Sequence, residues 1–126
     1  MIPSFPQLNE KEKKIFEHLL YLTLLLAVLE RDRINAEKIP FKLKIAYINL
    51  LEHTMKKVQA DLKGFTYKMK KNKMKILKGV QNREFAEYYF YIHDCEYLFR
   101  YSSTELKSNT EKLLCYYFFK ETDLFN

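Results

Sequence analysis

The run Leu19–Leu29, LLYLTLLLAVL, constrains what this chain can fold into more than any other feature. Its eleven residues fall short of the ~20 needed to cross a bilayer. Lysines precede it, as in an export signal, but so do Glu10, Glu12 and Glu17, and no small-residue cleavage site follows. The run therefore reads as a buried helix. Ile15, Phe16, Leu19, Leu20, Leu22, Leu24, Leu25 and Leu26 cover more than one helical face. A helix apolar nearly all round is covered on both sides, so this one is expected to be central in the fold or part of a dimer interface. Asn9, with Glu12 three residues later, forms a capping-box pattern at its start. Its end is expected at Glu30-Arg31-Asp32-Arg33.

A second helix is expected to open at Pro40, a residue favoured at the first helical position. Phe41, Ile45, Ile48, Leu51, Met55, Val58 and Leu62 follow at three- and four-residue steps and form one apolar stripe. Lys63-Gly64-Phe65 reads as the stop, because glycine just past the last turn with an apolar residue behind it is a common helix ending.

Residues 65–101 support two readings. With a turn at Lys71-Asn72, Met69 faces Met74, Tyr67 faces Ile76 and Phe65 faces Lys78, while Lys70 opposes Lys73 and Lys68 opposes Lys75. One face is mostly apolar and the other basic, as strand alternation requires. A second hairpin turns at His93-Asp94. Ile92 then faces Cys95, Phe90 faces Tyr97, Tyr88 faces Phe99 and Ala86 faces Tyr101, with Glu87 set against Arg100. In the competing reading Phe41, Ile48, Met55, Leu62, Met69 and Ile76 fall at seven-residue steps, as in one long helix, but Gly64 would then lie mid-helix. Ser108 with Glu111 marks a last helix over roughly 109–121. The expected architecture is α+β: two N-terminal helices packed on an antiparallel meander of four short strands, closed by a C-terminal helix. The alternative is an all-α bundle.

The 126 residues fit a single domain, and with 48% apolar residues a core can be buried without metal or disulfide. Cys95 and Cys115 have neither metal spacing nor a disulfide framework and read as reduced thiols, as expected of a cytoplasmic protein. His18, His53 and His93 form no HExxH, and His93-Asp94-Cys95 reads as a turn. Two isolated glycines cannot build a phosphate loop, and Ser102-Ser103-Thr104 lacks the flanking glycines of a nucleophile elbow. No catalytic residue, metal or cofactor is expected, and no membrane role.

Charge is uneven. Residues 56–83 carry ten basic groups against Asp61 alone, net +9, whereas residues 1–55 net +1 and residues 84–126 net −4. Lysine runs commonly decorate solvated faces and guard edge strands. They also attract polyanions. On the hairpin reading, Lys68, Lys70, Lys73 and Lys75 share one exposed strand face and are the candidate nucleic-acid contacts. On the helical reading, Lys56, Lys63 and Lys70 recur every seven residues on an outer stripe, beside Lys57, Lys71 and Lys78. The expected function is that of a small non-enzymatic accessory or regulatory protein that binds nucleic acid or an acidic protein surface. The alternative is an interaction module or homodimer whose lysines only solubilise it. Tyr89, Tyr91 and Leu98 lie on the sheet face opposite the apolar one, where a second subunit or another layer of the chain would cover them.

Overall fold

The structure, a computed structural model, describes residues 8–119. Helix α1 (Glu10–Ala36) starts where the capping box places it: the Glu12 N–H donates to Asn9 Oδ1 at 2.8 Å and the Asn9 N–H donates back to Glu12 Oε1 at 3.5 Å. It runs one turn beyond Arg33. Charged residues at 30–33 do not stop it, because Leu29 and Ala36 keep its inner face buried while Arg33 bonds Glu37 and Glu52 at 2.8 Å each.

Helix α2 (Lys44–Lys71) begins four residues after Pro40 and passes straight through Gly64. Neither the expected stop at Gly64 nor the expected hairpin over 65–78 exists. Ile48, Leu51, Met55, Val58, Leu62, Phe65 and Met69 alternate three- and four-residue steps, the seam of a coiled-coil-like pair with α1. Phe65 and Met69 hold the helix beyond the glycine by packing into the core. Gly64 lies on the outer face, where an added Cβ would meet nothing within 4 Å. Gly64→Ala should therefore raise stability by about 1 kcal/mol through helix propensity and reduced freedom of the unfolded chain. Thermal unfolding should show a rise of about 3–5 °C; a fall would mean the glycine is needed where it stands.

The true helix stop lies eight residues later. The Met74 N–H bonds the Met69 carbonyl at 2.8 Å and the Lys73 N–H bonds the Lys70 carbonyl at 3.2 Å. This is the bond pair of a Schellman ending. Lys73, not glycine, occupies its left-handed position, with φ 55°. Met69 and Met74 are buried in the same cluster and supply the apolar contact that accompanies such an ending.

Three strands follow: β1 (Lys75–Gln81), β2 (Phe85–Ile92) and β3 (Cys95–Ser102), antiparallel in the order β1-β2-β3. The meander has three strands rather than four, and its presence excludes the all-α alternative. The β2–β3 register is the expected one, from Ile92 opposite Cys95 to Ala86 opposite Tyr101. His93 and Asp94 turn with φ 55° and 60°, the positive angles a two-residue hairpin turn demands. Helix α3 (Ser103–Phe119) continues directly from β3. Ser102 Oγ accepts the Glu105 N–H at 3.0 Å, so the start lies six residues before Ser108; the expected end at 121 lies outside the described residues.

One sheet face packs on α1. Ala86, Tyr88, Phe90, Ile92 and Tyr101 form a cluster with Phe16, Leu20, Met69 and Met74, and the Phe16 and Phe90 rings stack at 4.4 Å. A second cluster joins Leu22, Leu25 and Leu29 to Val58 of α2 and Tyr117 of α3. Helix α1 is thus central, with most of its leucines covered by its own chain and Val28 and Ile34 left exposed. Among the described residues no helix is long and apolar enough to cross a membrane.

Candidate functional site

The structure disperses the four expected lysines. Lys68 and Lys70 stand on the last turns of α2, Lys73 in the Schellman ending and Lys75 at the start of β1. All four are exposed, but they share no strand face. Lys68 Nζ sits 5.0 Å from the Phe65 ring centroid, and Lys75 lies across from Tyr91 on the sheet.

Only Lys70 joins a basic array, with Lys56 and Lys63. Each follows a seam residue by one position (Met55, Leu62, Met69), so the continuous helix stacks them on one outer flank. The stripe spans about 21 Å from Lys56 to Lys70 at 1.5 Å per residue. These lysines line a shallow concavity of 780 Å³ together with Gln59, Thr66 and Tyr67. No carboxylate is among its described lining residues. The one acid of the basic block, Asp61, instead accepts the Tyr117 hydroxyl of α3. Tyr67 is 67% exposed, an aromatic ring held among the cations. Lys57, Lys68 and Lys71 occupy the opposite flank of the same helix. Sequence reasoning found the lysine stripe only on its helical reading and missed Gln59, which lies between Lys56 and Lys63, and Tyr67, whose place beside Lys63 and Lys70 depends on the helix continuing past Gly64.

A second surface is the sheet face turned away from α1. Its cross-strand rows are Lys75–Tyr91–Glu96, Leu77–Tyr89–Leu98 and Gly79 beside Glu87–Arg100. Leu77 and Leu98 are 44% and 51% exposed. The Tyr89 and Tyr91 rings lie 6.4 Å apart, nearly parallel. Tyr89 leans over Gly79, where a Cβ would come within 2.9 Å of the ring. Desolvation, then the Glu96 carboxylate, pushes the Tyr91 hydroxyl above its ordinary pKa. Arg100 bonds Glu87 at 3.0 Å and sits 4.1 Å from the Phe85 ring centroid. A third exposed apolar region, at the link between α1 and α2, includes Phe41, Leu43 and Ile45.

The remaining polar pairs fasten distant segments together. Tyr101 donates to Glu17 at 2.9 Å, and His93 Nε2 meets Glu12 Oε2 at 2.7 Å. Burial first, and the partner carboxylate second, drive the Tyr101 and Tyr117 hydroxyls far above the ordinary tyrosine range, so both stay protonated donors. His93-Asp94 is the hairpin turn and Cys95 opens β3; Cys95 is half-buried and Cys115 exposed, both free thiols. Among the described residues no group of three histidine, cysteine or carboxylate side chains is placed to hold a metal.

The sequence pattern of a family described as YhjD protein matches residues 7–122. A relative named Uncharacterized protein YhjD, from Bacillus subtilis (strain 168), is 29% identical over 114 residues, which cover 90% of this chain and 95% of that protein. No solved structure matches.

Proposed function

The chain belongs to the YhjD protein family; we propose that it is a non-enzymatic binding protein that takes the phosphate backbone of nucleic acid on the outer flank of α2. One observation carries this reading: Lys56, Lys63 and Lys70 line a single concavity whose described walls hold no carboxylate. None of the three has an ion-pair partner among the described residues. Three like charges along one helix flank repel one another weakly, and an anion laid along them relieves that repulsion. The stripe's length of about 21 Å corresponds to about six base pairs at 3.4 Å each. Lysine contacts a phosphate as a point charge, without the fork that reads guanine, so binding follows the backbone rather than the sequence. Tyr67 adds a ring on which an unpaired base can stack.

A mobility-shift titration of the full chain at 50 mM salt tests the reading, with duplex and single-stranded oligonucleotides of scrambled sequence. Both should form complexes, with little difference between sequences. Absence of a complex with either at that salt would overturn the proposal and return the lysines to a solvating role.

A further inference from the structure

We propose that the outer face of the sheet is the docking surface for a second copy of this chain. Among the described residues this face keeps an apolar central row, Leu77–Tyr89–Leu98, open to solvent. Its charges do not suit a polyanion: Lys75 and Arg100 are balanced by Glu87 and Glu96, and Arg100 already bonds Glu87 within the chain. What the register does suit is itself. Lys75 on β1 and Glu96 on β3 end the same row, with Tyr91 between them. They stand two strand spacings apart, about 9.6 Å, and among the described residues they form no ion pair with each other. A two-fold axis parallel to the strands lays β1 of one copy over β3 of the other. Lys75 of each copy then faces Glu96 of the second, Leu77 faces Leu98, and Tyr89 meets its own counterpart. The symmetry generates two ion pairs and two apolar contacts from one surface, as an isologous interface requires. The twist of each sheet sets the two stacks about 30° apart, which these short strands tolerate.

The nine positions of the three rows cover on the order of 300 Å² per copy, against the ~800 Å² per partner of a standard stable interface. The association is accordingly weak and transient. The lysine stripe of α2 is a separate surface, so the two proposals fail independently.

Sedimentation equilibrium of the full chain tests this, with circular dichroism confirming that each variant stays folded. The wild type should show weak, concentration-dependent dimerisation. Leu98→Glu should abolish the dimer. Lys75→Glu and Glu96→Lys should each weaken it about tenfold, because each sets like charges opposite one another. The double variant carrying both changes should recover to within about threefold of wild type, since the swap restores both pairs. A wild type that stays monomeric at 500 μM, a double variant no tighter than the single ones, or a Leu98→Glu protein that still dimerises would overturn the proposal.

Discussion

Val58→Asp is expected to leave the chain unfolded at room temperature. Val58 is fully buried on the seam between α1 and α2, in a cluster whose other buried members are Leu22, Leu25, Leu29 and Tyr117. A carboxylate placed there finds apolar walls, and the hydroxyls of Thr54 and Tyr117 already donate to the Leu50 carbonyl and to Asp61. Burying an uncompensated charge costs more than about 4 kcal/mol. That approaches the whole stability of an ordinary domain, about 5–15 kcal/mol. The loss should also reach beyond the site, because α1 carries both core clusters and cannot stay packed on the sheet once it leaves α2. Val58→Ala is the control: it removes two methyl groups without adding charge, costs about 1–3 kcal/mol and keeps a cooperative transition. Circular dichroism at 222 nm and chemical denaturation would measure both. A folded Val58→Asp protein with a wild-type midpoint would mean that the seam is not closed at this position.

The parts of the fold that could be read from the sequence are those in which a short-range pattern has a single physical solution. Alternation from Ala86 to Ile92 and from Cys95 to Tyr101, broken by Tyr89, Tyr91 and Leu98, gives the cross-strand partners of β2 and β3 once the two-residue turn is placed. The Asn9–Glu12 capping box fixes the start of α1 in the same way. Gly64 misleads because its local preference and its tertiary setting disagree. A glycine followed by Phe65 matches a helix ending, but Phe65 belongs to the seam and draws the helix onward. The left-handed position then falls on Lys73, a residue that gives no sequence signal for it. The spurious hairpin has a related cause. Lysines at 68, 70, 73 and 75 mimic the polar side of two strands, while Met69 and Met74 do meet, as the apolar contact of a helix ending. For α3, Ser102 and Ser108 each stand three residues before a glutamate, and the pattern alone does not choose between them. The chain passes from β3 into α3 without a loop, which selects Ser102.

These corrections relocate the candidate site without removing its chemistry. Of Lys68, Lys70, Lys73 and Lys75, only Lys70 remains in the array, and Lys56 and Lys63 join it because the helix is continuous. Replacing Lys56, Lys63 and Lys70 together with glutamine removes three charges while keeping side chains of similar helix propensity, so the fold should be retained. If each lysine neutralises one phosphate, affinity for duplex DNA at 0.1 M salt should fall by about 100-fold or more.

The most direct measurement is fluorescence anisotropy with a labelled duplex across a salt series, for wild type and the triple variant side by side. Counterion release makes log affinity linear in log salt, and losing three contacts should flatten that slope by about 2.7 units. Equal slopes and equal affinities for the two proteins would contradict the account by placing the nucleic acid, if bound at all, somewhere other than the α2 stripe.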